Sequence, residues 1–344
     1  MSTSRFIEQI HAASGPLRIR GGGSKDFYGN ALRGEVLDTR SHVGIVAYEP
    51  SELVITARCG TPLAEIEAAL AQKGQMLAFE PPRFGDGATI GGVVAAGLSG
   101  PRRASAGAVR DYVLGVHLLD GAGHLLHFGG QVMKNVAGYD VSRLMAGSLG
   151  TLGLILDVSL KVLPRPAAEA TLRFEMPQGR AITVLNEWGG KPLPISASAW
   201  QDETLHLRLS GAKAAVAEAA ARLGGERVDD GDAASLWAGL RDQSADLFAA
   251  GPLWRIAVPG SAAPLDLPGV VLIEWGGGQR WLRSEAPAAD VRAAAAKAGG
   301  HATLFRGGDK SGGAFHPPAP ALAALNERVR RALDPDGIFD TGRR

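Results

Sequence analysis

Sixteen glycines fall between Gly85 and Gly153, a segment of 69 residues in a chain of 344 that holds 47 in all. Nearly one position in four there has no Cβ, against a usual ~7%. Glycine is a poor helix former, and it is chosen where the backbone must reach positive φ or approach another surface closely. The excess is not collagen-like, since no third-residue period runs through it. Nor is it disorder, because Val, Ile and Leu are interspersed throughout. The segment therefore belongs to a folded domain that brings main chain against something.

The remaining totals exclude several classes of function. Lys plus Arg is 36 and Asp plus Glu is 35, a formal charge of +1. No basic stripe interleaved with aromatics is present, which argues against a nucleic-acid partner. No run reaches the ~18 apolar residues of a membrane span. Met1 to Gly15 shows no secretory signal pattern, so the expected location is cytoplasmic. The single cysteine, Cys59, cannot build an intrachain disulfide, a zinc cluster or a cysteine-ligated iron–sulfur cluster, and no metal site is expected.

Along the chain, Leu17 to Arg20 is a short strand stopped by Gly21-Gly22-Gly23-Ser24. Val43 to Tyr48 and Leu53 to Ala57 are strands. Thr61-Pro62 opens a helix with Thr as N-cap, and Leu63, Ile66 and Leu70 share its buried face until Gly74 stops it. Asp120-Gly121-Ala122-Gly123 joins strands 112–119 and 124–128 as a hairpin. Residues 156 to 162 alternate as a half-buried strand, and Pro164 and Pro166 mark a domain boundary. The Ala-rich remainder has helices near 212–223 and 287–298, strands near 171–176, 203–209 and 253–258, and a last helix carrying Leu322, Leu325, Val329 and Leu333.

Neither standard phosphate loop is present. Gly21-Gly22-Gly23 lacks the third glycine of a dinucleotide fingerprint, and Gly308-Asp309-Lys310-Ser311 lacks the Gly-Lys pair of a Walker loop. A strand running into Gly-Gly-Gly-Ser-Lys can still turn consecutive N–H groups toward one anion, with Ser24 and Lys25 adding a hydroxyl and a charge. The alternative is a flexible turn between two strands. Thr89 to Gly100 is a second small-residue tract, too apolar for a loop and too glycine-rich for a good helix, suited to lying against a flat ligand.

The blocks that follow carry the specificity: Thr89-Ile90-Gly91-Gly92, then Arg110-Asp111-Tyr112-Val113-Leu114-Gly115, then Lys134-Asn135-Val136-Ala137-Gly138-Tyr139-Asp140, then Gly147-Ser148-Leu149-Gly150-Thr151-Leu152-Gly153. In this order they resemble the FAD-linked oxidases of the vanillyl-alcohol oxidase and p-cresol methylhydroxylase (PCMH) type, over roughly residues 1 to 170. Within that family the chain is most similar to the smaller FAD-binding subunits of bacterial glycolate oxidases. The resemblance implies an α+β chain: a PCMH-type FAD-binding domain of two α+β subdomains over residues 1–166, then a smaller α+β domain over 167–344 acting as cap, substrate or assembly domain.

Carried onto matching positions, the resemblance implies that Gly21, Gly22, Gly23, Ser24 and Lys25 hold the pyrophosphate of FAD. Thr89, Gly91, Gly92 and Gly97 would lie along the flavin and ribityl chain, Asp111, Tyr139, Asp140, Gly150, Thr151, Gly153 and Ile155 along the adenine and diphosphate side, and Pro82 and Gly107 are counted among the cofactor-binding residues as well. Plain readings stand beside these: a local ion pair for Arg110-Asp111 and a turn for Tyr139-Asp140. Arg20 to Gly29 holds Tyr28 but no His or Cys, and His42 is read as structural, so the FAD is expected to be non-covalent. The closing segment, Asp334 to Gly342, resembles the family's D-P-x-G block but departs from it at Asp340-Thr341, which removes the basis for a flavin contact from the tail.

The larger relatives' close histidine pair is missing, and no catalytic residue is assigned. Arg306 and His316 are the groups available for a carboxylate and a proton, although exposed loop residues of these types are usually just solvated. The implied function is glycolate oxidation to glyoxylate, or oxidation of another small 2-hydroxy acid. It would work with a larger FAD subunit and an iron–sulfur subunit, with membrane association only through that complex. A stand-alone FAD-dependent 2-hydroxy-acid dehydrogenase and a non-catalytic FAD-holding assembly subunit stay open beside it.

Overall fold

The computed structural model describes residues 3–130 and 139–344, so Lys134 to Gly138 of the third motif block lie outside the described residues. In chain order the first half carries α1 (Thr3–Ala12), β1 (Leu17–Arg20), β2 (Glu35–Asp38), β3 (Ile45–Glu49), β4 (Val54–Arg58), α2 (Leu63–Ala71), β5 (Gln75–Met76), α3 (Ile90–Ala96), α4 (Arg103–Ala106), β6 (Val113–Leu119), β7 (Leu125–Gly129), α5 (Val141–Leu144), β8 (Leu154–Lys161) and β9 (Leu163–Pro164). The second half carries β10 (Ala168–Glu175), α6 (Gln178–Gly189), β11 (Ile195–Gln201), β12 (Thr204–Gly211), α7 (Lys213–Leu223), β13 (Glu226–Arg227), α8 (Asp230–Asp242), β14 (Leu253–Ala257), β15 (Val270–Glu274), β16 (Gln279–Arg283), α9 (Ala288–Lys297), β17 (His301–Arg306) and α10 (Pro320–Leu333). The chain is α+β, as expected.

Two compact units emerge: residues 1–98, 107–164 and 317–344 form the first, and 99–106 with 165–316 the second. In the first unit, β1 and β2 pair in parallel, and a five-stranded antiparallel sheet runs β3-β4-β8-β6-β7. The hairpin of β6 and β7 closes with Leu119 opposite Leu125, at the glycine turn expected there. Strand β8 is not half-buried. It lies between β4 and β6, and Ser159, read as an outward residue, is buried with its hydroxyl 2.8 Å from that of Thr56. A central strand is covered on both faces, and a buried Ser–Thr pair satisfies itself.

Two local expectations shift. Helix α2 begins at Leu63 after Pro62, not at a Thr61 cap, because the Thr61 hydroxyl is engaged with the backbone of Gly44. The 89–100 tract contains a helix, α3, despite its glycines. Thr89 Oγ1 accepts the Gly92 N–H at 3.3 Å, the Ile90 and Gly91 N–H groups donate to Thr61 O and Cys59 O, and Ile90, Val93 and Val94 are buried. Packing overrides propensity here. A Cβ on Gly91 would stand 2.6 Å from Cys59 Cβ, so glycine at this position is what lets α3 sit on the end of β4.

The tail from 317 onward belongs with the first unit, whereas the sequence grouped it with the second half. Backbone bonds draw it there: Leu17 N–H to Ile338 O (2.6 Å), Arg33 N–H to Thr341 O (3.0 Å) and Asn30 N–H to Arg343 O (3.0 Å). The fully buried Asp334 fastens its turn, accepting the Ile338 and Phe339 N–H groups at 2.8 Å each. Helix α10 has the expected spacing, but none of its residues is buried, and Leu322 and Leu325 are exposed.

The second unit is an eight-stranded antiparallel sheet ordered β13-β10-β12-β11-β15-β16-β14-β17. Alternation along β12 sends Leu205, Leu207 and Leu209 into a core with Ile182 and Leu185 of α6 and Val216 of α7. Trp254 and Ile256 of β14 pack with Val291 and Ala295 of α9. The residues between them, Arg255 above all, point to the opposite face.

Candidate cofactor cleft

A cleft opens in the first unit, framed by main chain from separate parts of the sequence. Three segments build it: the end of β1 with the loop Gly21 to Asp26, one side of α3 from Gly91 to Ala96 with Thr89, and the turn Leu149 to Ile155 leading into β8. Thr39, Cys59 and Arg343 complete the lining.

The first loop is shaped from within. Gly23 takes φ +75°, and a Cβ there would collide with the Arg20 guanidinium, which folds over the loop to pair with Asp26 at 2.7 Å. A Cβ on Gly22 would stand 1.5 Å from Gly87 O, so the loop lies directly on a second stretch of main chain. The N–H groups of Gly22, Gly23 and Ser24 find no acceptor among the described residues. Three adjacent donors lining a cleft suit an anion with several oxygens. Lys25 is buried beside them, its Nζ 3.4 Å from Ser24 Oγ and from Arg83 O, and 5.5 Å from the centre of the Phe84 ring.

At α3 the situation is reversed. Its first N–H groups already have protein acceptors, so it offers apolar backbone and the small side chains of Ala95 and Ala96. The 147–151 turn docks on its far end, with Gly147 N–H to Val94 O (2.9 Å) and Leu149 N–H to Ala95 O (2.8 Å), and Gly97 and Gly147 touch backbone to backbone. The Cys59 thiol, at the cleft wall, is pushed up to about 12 by burial, so it stays protonated.

Of the residues singled out from sequence, Gly21, Gly22, Gly23, Ser24, Lys25, Thr89, Gly91, Gly92, Gly150, Gly153 and Ile155 line this one cleft. The other seven do not. Pro82 is buried but not among the lining residues, and Gly97 closes α3 with φ +67°. Gly107, at φ +99°, lies against Asp111, whose carboxylate takes the Ala108 N–H and pairs with Arg110 at 3.7 Å. Tyr139 is 97% exposed, Asp140 caps the short α5, and the Thr151 hydroxyl donates to Ser148 O at 2.7 Å. The local ion pair read for Arg110-Asp111 is present.

Sequence reasoning missed Arg343. It is buried, burial holds its pKa below the usual guanidinium value, and it donates to Tyr28 O at 3.0 Å and to Lys25 O, tying the chain's end to the first loop. The tail therefore reaches the cleft despite its departure at Asp340-Thr341. A terminal Arg-Arg gave no motif signal, because its role depends on a contact more than 300 residues away. Elsewhere, Arg306 is engaged with Gln243 Oε1 and Phe248 O. His42 packs edge-on against Phe6 at 5.8 Å, consistent with a structural role. No cluster with metal-ligand character occurs among the described residues.

Comparisons with known proteins agree with this geometry. A family model described as an FAD binding domain matches residues 3–129. The glycolate oxidase subunit GlcE of Escherichia coli (strain K12) is 49% identical over 342 residues, covering 98% of this chain and 96% of that protein. The glycolate oxidase subunit GlcD of Bacillus subtilis (strain 168) is 31% identical over 163 residues, covering 47% of this chain and 34% of its own length. Among solved structures, an alkyldihydroxyacetonephosphate synthase matches with a TM-score of 0.68 at 14% identity, covering 98% of this chain and 75% of that one, a likeness of fold. With a relative of this identity along nearly its whole length, and with FAD as cofactor, the chain belongs to the GlcE family of FAD-linked oxidoreductase subunits of the PCMH-type fold.

Proposed function

We propose that this protein is the FAD-binding subunit of a glycolate oxidase that converts glycolate to glyoxylate, passing electrons onward through partner subunits. The observation that carries the reading is the near-full-length identity to GlcE, joined to a cleft whose donors suit a dinucleotide. Gly22, Gly23 and Ser24 would hold the pyrophosphate through their N–H groups, with Lys25 and Arg343 adding positive charge. Gly91, Gly92, Ala95 and Ala96 would face the flat part of the cofactor, and Gly150 to Ile155 its other side. When bound, FAD supplies a two-electron acceptor for the hydride leaving the hydroxyl-bearing carbon.

The chain's own residues support non-covalent binding. Tyr28 is buried behind the loop, the cleft lining includes no histidine, and Cys59 keeps its proton. The hydroxyl proton of the substrate also finds no imidazole in this lining. A larger FAD subunit and an iron–sulfur subunit are the proposed partners, since one cysteine cannot hold a cluster. No helix among the described residues is long and apolar enough to cross a membrane. A cytoplasmic location, with membrane contact through the complex, is part of the proposal.

Co-expression with the two partner subunits, followed by counts of flavin and iron per complex, tests this. The expected result is one complex containing all three chains, with flavin bleached by glycolate, and flavin fully released when this chain is unfolded. Glycolate bleaching by the isolated chain would favour a stand-alone dehydrogenase. Unchanged turnover by a complex in which this chain carries no flavin would make it an assembly subunit.

A further inference from the structure

The second unit carries a cation prepared for an anion that the protein itself does not provide. Register puts Trp281, Arg255 and Thr303 in one cross-strand row of β16, β14 and β17, and Gln279, Ala257 and His301 in the next. Directly paired antiparallel residues share a face, so all six side chains stand together on the face opposite Trp254 and Ile256. Ala257 leaves the middle of its row short.

Arg255 is held from behind. Its Nε donates to Gln279 Oε1 at 2.7 Å, and Gln279 Nε2 in turn donates to Glu274 Oε2 at 3.2 Å. Glu274 is only 3% exposed and is fixed by Trp281 Nε1 at 2.7 Å. The guanidinium carbon lies 5.3 Å from the centre of the Trp275 ring and 6.0 Å from that of Trp281, and Arg103 covers Trp275 at 4.4 Å. Stacked and aimed in this way, Arg255 still has both Nη groups without an acceptor among the described residues. Beside it, the His301 and His316 rings lie 6.4 Å apart. Partial burial, Arg255 and His316 all hold His301 below the usual imidazole pKa, which leaves a neutral donor and acceptor next to a fixed cation.

We propose that Arg255, flanked by His301 and His316, is the binding site for a small carboxylate, with Gln279 as the positioning residue that aims the guanidinium. A guanidinium whose Nε is occupied and whose Nη pair is available presents a donor fork that a planar carboxylate matches, and indole stacking reduces its hydration. The site stands on this geometry alone. That its anion is the carboxylate of the 2-hydroxy acid rests on the glycolate oxidase reading above.

The test titrates the FAD-loaded full chain with glycolate, acetate and sulfate, read by calorimetry and tryptophan fluorescence. Saturable binding of glycolate is expected, weakened roughly 10- to 100-fold in Arg255→Gln with flavin content unchanged. Arg255→Lys should recover only part of it, since an ammonium is not a fork. Gln279→Met should cost roughly 3- to 10-fold and keeps the test alive if Arg255→Gln folds poorly. Equal binding by wild type and Arg255→Gln overturns the site, as does no binding to wild type, or tighter binding of sulfate than of either carboxylate. Arg255-dependent binding in a complex that never oxidises glycolate sinks the functional reading and leaves the site standing. Glycolate turnover with an unchanged KM in Arg255→Gln does the opposite.

Discussion

The cleft of the first unit and the Arg255 face of the second both suit anions, and they are made from different materials. The first is main chain: adjacent N–H donors presented by a glycine loop, with side chains removed so that backbone can lie on backbone. The second is side chain: one guanidinium, two indoles and a relay of Gln279 and Glu274, brought together by the register of four strands. A backbone site is written in consecutive residues. A side-chain site is written in residues such as Arg255, Gln279 and His301, which lie on separate strands and which only strand pairing unites. The lesson extends to the glycines, several of which, cleft-lining ones included, pack against other parts of the protein. Gly22 lies against Gly87, Gly91 against Cys59, and Gly97 against Gly147, so their smallness serves the fold that carries the cleft.

The largest effect should come from breaking the backbone-built site. Gly22→Val places Cβ where Gly87 O stands, so flavin content should collapse and the melting temperature fall by the equivalent of about 3 kcal/mol or more. Gly179→Ala, in α6, whose Cβ would meet nothing within 4 Å, should keep flavin and stability near wild type. Equal outcomes for the two would refute the distinction between glycines that face backbone and those that do not.

Next is Cys59. With its thiol pushed up to about 12 by burial, alkylation at pH 8 should run on the order of 1,000-fold or more below that of an exposed cysteine and reach full rate on unfolding, which mass spectrometry reads directly. Rapid labelling of the native protein would mean the cleft wall is open. Arg343→Met tests a side chain that supports the backbone site from afar. Losing charged bonds to Lys25 O and Tyr28 O should weaken FAD binding roughly 10- to 100-fold while leaving carboxylate binding at Arg255 unchanged, as read by flavin absorbance and calorimetry.

The smallest effect lies in the second unit. Burial would raise the Glu169 pKa, but bonds from Ser210 and Arg102 outweigh it and hold the carboxyl below its usual value. A depressed folded value means stability that is present above the ordinary carboxylate pKa and lost as pH falls through the folded one. The Glu169 side chain is 43% exposed, so the contribution is under about 1 kcal/mol. Glu169→Gln should flatten the acid limb of a denaturation profile by that amount, and an unchanged profile would show that the pair is idle.

What could be read from the sequence follows the same division. The strand into Gly21, the hairpin at Asp120, the Ala-rich helices α7 and α9 and eleven of the cleft residues were legible, because turn chemistry, periodicity and motif order are local. Helix α3 was not, since its glycines lower propensity and only the burial of Ile90, Val93 and Val94 compensates. The full burial of β8 was hidden for a related reason: a polar residue that finds a partner across a sheet looks, in sequence, like one that faces water.

By itself the sequence determined the cofactor class, because the motif blocks of an FAD-binding domain stand in a fixed order along the chain. Only the tertiary structure decided which of the glycines serve packing, that Arg343 returns from the chain's end to the first loop, and that Arg255 stands aimed with its Nη groups available. Such contacts join distant residues, and their energies come from burial and geometry that exist only once the strands have paired.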